Sequence, residues 1–112
     1  MLNIQTRQSG NASVVSIQGK VNFEVTAQLR DVIRETVATA QPKLLVINLE
    51  GVSFIDSSGL GLLVAARNSV DKSGGKLHLC CLPATVKKSF DQTNLTNYFS
   101  IFATEQDALR GA

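Results

Sequence analysis

The residues with chemistry to offer are concentrated in one short stretch, Asp56-Ser57-Ser58-Gly59-Leu60-Gly61. It sets a carboxylate and two hydroxyls side by side and follows them with two glycines. Before it come a dense apolar run, Leu44 to Leu49, and a short link, Glu50 to Phe54; after it comes a helical run, Leu62 to Val70. A helix that starts here presents N–H groups with no intrahelical partner and a partial positive charge. Asp56, Ser57 and Ser58 are all residue types that cap such a turn. A hydroxyl held at that end is also well placed to carry a phosphate, because the helix terminus favours an anion. Glycine in an early helix costs about 1 kcal/mol relative to alanine. Gly59 and Gly61 therefore imply a close approach at this turn, either of another surface or of the sheet on which the helix packs.

Several kinds of chemistry fail on the same residues. A serine nucleophile needs a base within hydrogen-bond reach, and the sole histidine, His78, falls in the middle of a predicted strand, where an edge or a satisfied core residue is expected. The Gly-x-Ser-x-Gly elbow is absent, as is a Gly-Lys-Ser/Thr phosphate loop. Cys80 and Cys81 are adjacent, and on a strand they point to opposite faces. They are expected to be small apolar fillers in a reducing compartment, neither a disulfide nor a metal pair. No enzyme activity, cofactor or metal is expected. The net charge is +2, and Lys87-Lys88 is no nucleic-acid footprint, so no direct nucleic-acid partner is expected. No apolar run approaches the roughly 20 residues that span a bilayer, and Met1 to Arg7 alternates instead of forming a signal core. The expectation is a cytoplasmic domain with no membrane insertion, acted upon by other proteins.

The length of 112 residues suits one domain, 1–112, with one core, and 44% of the residues are hydrophobic. Leu2 to Arg7 alternates as a half-buried strand, Ser9-Gly10-Asn11 turns, and Val14 to Ile17, within Ser13 to Gly19, pairs back as a hairpin. Asn22 is a candidate N-cap for a helix whose inner face carries Val25, Leu29, Val32, Ile33, Thr36, Val37 and Ala40. Pro42 ends it. Leu44 to Leu49 reads as a strand buried on both faces. A central helix from about Ser57 to Asp71 follows, closed by Gly74-Gly75. Its first half is apolar around most of its circumference, so an exposed apolar patch is expected near Leu60 and Val64. Lys76 to Leu82 forms another strand. Pro83 opens a helix with Val86, Phe90 and Lys87 towards its inner side. A turn at Asn94, an extended piece from Tyr98 to Phe102, and a short helix capped by Thr104 and docked by Ala108 and Leu109 complete the chain, with Arg110 to Ala112 expected to fray. The prediction is an α/β fold: a mixed sheet of four to five strands, an antiparallel hairpin at its start and parallel at its centre, with about four helices.

The segment Ile47 to Gly61 resembles the signature of STAS domains, and more narrowly of the bacterial anti-sigma factor antagonists. Gly19 near the end of the second strand, Gly74-Gly75, and Pro83, Val86 and Phe90 match further recurring features, so the resemblance covers nearly the whole chain. It implies the same fold and a partner switch. The unphosphorylated antagonist binds an anti-sigma factor that is also a serine kinase, which frees the sigma factor. The kinase phosphorylates a motif hydroxyl, and a PP2C-type phosphatase resets it. Carried over by position, the acceptor is Ser58, with Ser57 as the alternative. Asp56, Ser57, Gly59, Leu60, Gly61, Val64 and Asn22 would form the partner-binding surface. Many antagonists end the second strand with an acid, where this chain reads Gly19-Lys20-Val21-Asn22. The alternative carried by the same resemblance is a STAS accessory subunit of a transporter or stress-sensing complex that needs no phosphorylation.

Overall fold

The computed structural model describes residues 2–110. Gly111 and Ala112, part of the tail expected to fray, lie outside them. The elements run β1 (Asn3–Ser9), β2 (Ala12–Val21), a single 3-10 turn (Phe23–Val25), α1 (Thr26–Ala40), β3 (Leu44–Ile55), α2 (Ser57–Lys72), β4 (Lys76–Cys80), α3 (Ala84–Gln92), β5 (Ser100–Phe102) and α4 (Glu105–Arg110). The five strands form one sheet in the order β1-β2-β3-β4-β5. The first pair is antiparallel and the other three are parallel. This is the mixed architecture that the strand patterning predicts.

Alternation along the central strands divides the interior between the two faces of the sheet. Val15, Ile17, Leu45, Ile47, Leu49, Leu77 and Leu79 enter the larger core with buried residues of α1, α2 and α3, whereas Val14, Val46 and Cys80 meet Ala108 of α4 in a smaller one. With both faces covered, Leu44 to Ile47 is buried throughout, which explains its unbroken apolar run. In α1, Leu29, Ile33 and Thr36 are buried. The Thr36 hydroxyl donates to the Val32 carbonyl at 2.8 Å, so its burial leaves no unmet donor. Ala40, expected on that inner face, is exposed. α1 ends before Pro42 through Gln41, a left-handed residue at φ 44° whose N–H donates to Val37.

Three expectations are corrected. The link from Glu50 to Phe54 belongs to β3, which continues alongside β2 to the pair Val21 and Ile55. Register shifts between Ser16 and Gln18 and between Gly19 and Lys20 break the period of two that marks a strand. β4 stops at Cys80. Cys81 turns away at φ 63°, its N–H donating to Phe102, so the two cysteines do not alternate across a strand. Both remain free, and burial together with the adjacent Cys81 thiol pushes the Cys80 thiol well above its usual range. Lys87 is exposed, since Val86 and Phe90 alone fill the inner side of α3.

His78 is a satisfied core residue: it is buried, and its Nδ1–H donates to the Ala108 carbonyl at 2.9 Å. Thr104 caps α4 by accepting from the Asp107 N–H at 3.1 Å. Burial raises Glu105, but Arg7 and the Asn48 amide outweigh it and hold the carboxylate below its ordinary range. Phe90 is fully buried and meets Phe99 edge-on at 5.6 Å between ring centroids. Phe90→Ala should cost about 3–5 kcal/mol of stability, read as a lowered urea midpoint at an unchanged m-value. A loss under about 1 kcal/mol would show that this end of the core is loosely packed.

Candidate functional site

β3 ends at Ile55 and α2 begins at Ser57, leaving Asp56 extended between them as the N-cap. Its N–H donates to the Val21 carbonyl at 3.1 Å, which anchors the turn to the end of β2. Its carboxylate takes three further donors. Oδ1 accepts from the Ser58 hydroxyl at 2.5 Å and from the Gly59 N–H at 3.0 Å, and Oδ2 accepts from the Phe23 N–H at 3.1 Å. The Ser58 hydroxyl, then the Gly59 amide with help from that of Phe23, hold the Asp56 carboxyl below its ordinary range against the opposing effect of burial. One ionised side chain thus joins the start of α2 to the loop that leads into α1.

The two hydroxyls differ in their freedom. Ser58 is half-buried and engaged by Asp56. Ser57, one residue earlier, is exposed, and its hydroxyl has no hydrogen-bond partner among the described residues. Asn22 lies where the end of β2 meets the turn. Its Oδ1 accepts from the Glu24 N–H at 3.1 Å, capping the 3-10 turn instead of α1 itself.

The glycines serve different ends. A Cβ on Gly59 would come within 2.8 Å of both Ile55 Cγ1 and Val21 Cγ1, so this glycine lets α2 rest on the ends of β2 and β3. A Cβ on Gly61 would meet nothing within 4 Å, and the residue is exposed.

The apolar patch expected near Leu60 is also corrected. Leu60 is only 5% exposed, in line with Leu63, Ala66 and Val70 on the face of α2 that joins the larger core. Val64 is half-buried against the same core. Exposed apolar surface sits instead on Phe23, 78% exposed, and Phe54, 49% exposed. Phe23 is fixed through its amide on Asp56, and Phe54 lies two residues before it. Neither stood out in the sequence. Phe23 carries a signal in retrospect, as a large apolar residue between the polar Asn22 and Glu24 at the mouth of a helix.

A bulged parallel strand, a capped serine turn and a glycine-seated helix in this order define a class. The chain belongs to the STAS domain family, whose signature matches residues 3–108. Within it, the chain stands among relatives that are anti-sigma factor antagonists. The anti-sigma-B factor antagonist of Bacillus subtilis is 30% identical over 109 residues, covering 97% of this chain and 98% of that protein. An anti-sigma factor antagonist from Mycobacterium paratuberculosis has the same fold at a TM-score of 0.90 and 27% identity, over 99% of this chain and 93% of its own. The antagonist SpoIIAA in its unphosphorylated form matches at a TM-score of 0.82 and 25% identity over 98% of each chain. Its phosphorylated form shares the fold at a TM-score of 0.74 and 24% identity, over 96% of this chain and 97% of its own.

Two outcomes test this geometry. Gly59→Ala should destabilise the fold by about 1–3 kcal/mol through overpacking, while Gly61→Ala should stabilise it by up to about 1 kcal/mol. Urea denaturation of both variants decides, and equal effects would contradict the division of roles. Asp56→Ala should cost about 0.5–2 kcal/mol near neutral pH through loss of the cap. Because the folded-state pKa of Asp56 is depressed, its contribution is complete above the unfolded value near 3.8 and is lost as the pH falls through the lower folded value. The difference between wild type and variant should therefore shrink in acid. A difference that is constant with pH would show that the charge plays no part.

Proposed function

We propose that this protein frees a sigma factor by binding, in its unphosphorylated form, an anti-sigma factor that is also a serine kinase. Phosphate placed on the Asp56–Gly61 turn ends the complex, and a PP2C-type phosphatase restores it. The observation that carries this reading is an exposed, unengaged hydroxyl at the first position of α2, beside two exposed aromatic rings. The names of the relatives support the antagonist role, and SpoIIAA, known in both phosphorylated and unphosphorylated forms, supports the switch.

The acceptor we favour is Ser57. Its exposure opens it to a kinase active site, whereas Ser58 must first give up its bond to Asp56 and stands as the alternative. A phosphate adds about −1.5 to −2 charges at neutral pH. The helix terminus tolerates it, but beside the ionised Asp56 it makes a strongly acidic spot. A partner lying against Ser57, Gly61 and Val64, with Phe23 and Phe54 as apolar anchors, would meet added bulk and unpaired charge together. Gly59 and Leu60 act beneath this surface, holding it in place. Asn22 keeps the cap on Glu24 without adding a charge near the turn.

The experiment incubates the pure protein with the anti-sigma factor kinase of its source and ATP, and locates phosphate by mass spectrometry. Ser57→Ala should abolish labelling. Ser58→Ala should be labelled at a reduced rate. Phe23→Ala should weaken kinase binding by about tenfold, as expected for an aromatic anchor, with a native circular dichroism spectrum. Full labelling of Ser57→Ala would transfer the acceptor role to Ser58. No labelling of the wild type by any serine kinase of the source would favour the accessory-subunit reading.

A further inference from the structure

Away from the turn, a groove of about 210 Å³ opens between α1 and α2. Ile33 and Ala66, both buried, line its floor, and the half-buried Val37 and Leu62 flank it. It stays open because Ala38, Ala65 and Ser69 stand at its margin, where larger side chains would close it. Arg30 and Arg34 also line it, one helical turn apart on α1 and both exposed. Asp31, the next residue in the chain, is the sole carboxylate within 4.0 Å of Arg30, at 3.8 Å, and none lies that close to Arg34 among the described residues. No acidic side chain lines the groove.

We propose that this groove is a binding site for a small anion with an apolar chain, of the medium-chain fatty carboxylate class. The chain would lie over Ile33 and Ala66 between Val37 and Leu62, with the carboxylate reaching Arg30 and Arg34. Planar guanidinium groups match a carboxylate in geometry as well as charge. Apolar walls with a few convergent polar groups are the usual make-up of a small-molecule site. The size suits a small occupant. Sites for drug-sized ligands run to about 300–1,000 Å³, and a helix with its side chains is about 10 Å wide, so a short chain matches the groove better than a long lipid tail or a partner helix. The site is separate from the serine turn, and the proposal does not depend on the switch.

The test titrates octanoate into methyl-labelled protein followed by NMR. Saturable shifts are expected at the methyls of Ile33, Val37 and Leu62. Affinity should rise about fourfold for each methylene from hexanoate to octanoate. The double variant Arg30→Gln, Arg34→Gln should bind octanoate about tenfold more weakly, since it loses charge-assisted hydrogen bonds, and octanol should be weakened similarly against the wild type. Ala65→Phe, at an exposed position, should fill the groove and remove the shifts while the thermal melt stays cooperative. The proposal is overturned by the absence of saturable shifts at these methyls, or by unchanged octanoate affinity in either variant. Binding confined to vesicles of anionic phospholipid, with none to free octanoate, would also overturn it and mark a membrane contact.

Discussion

The carboxylate of Asp56 binds two parts of the chain that are far apart in sequence. It accepts from Ser58 and Gly59 at the start of α2 and from Phe23 in the loop after β2, and its own N–H donates to Val21. Ionised acceptors make the stronger class of hydrogen bond, and here one acceptor group serves a helix cap and a cross-chain tie at once. The arrangement is possible only because Gly59 lacks a Cβ, which would collide with Val21 and Ile55. Seating α2 this closely also carries Leu60 and Leu63 into the core. The surface above the turn, with Ser57 and the two exposed phenylalanines, is therefore built on a rigid base.

That construction suits a signal carried by charge. The groups that stabilise the fold lie beneath the turn, while Ser57 projects from it, so a phosphate there alters what a partner meets without removing a core contact. A helix N-terminus accommodates the added charge. Phe23 and Phe54 supply apolar area of the kind that anchors interfaces. Neither fills the core, so both are free to serve the partner surface proposed above.

Much of this was legible in the sequence. The helical stripe of α1 from Leu29 to Val37, the run Leu44 to Ile47, the capping residues Asp56 and Thr104, and the glycine stop after α2 all follow from local rules, and each occurs where the sequence predicts it. What was missed depends on tertiary context. Bulges in β3 itself disguise its second half as a link, because each extra residue shifts the alternation. The sequence does not reveal that Leu60 is buried, because a helix half that is apolar all round does not show which side the sheet covers. Gly59 and Gly61 look alike in sequence, and only the packing around each separates a seated glycine from an open one. The different reach of Ser57 and Ser58 likewise comes from a side chain that the sequence places beside both.

The central claim is that phosphate on this turn acts at the surface, ending a complex without unfolding the protein. The direct measurement compares homogeneously phosphorylated and unmodified protein in two ways, by affinity for the anti-sigma factor and by thermal stability. The account predicts an affinity lower by about a hundredfold or more, of the order of the loss when an unpaired charge is forced into an interface, with a melting temperature nearly unchanged. Equal affinity for the two forms would contradict it, as would a loss of binding accompanied by a collapse in stability.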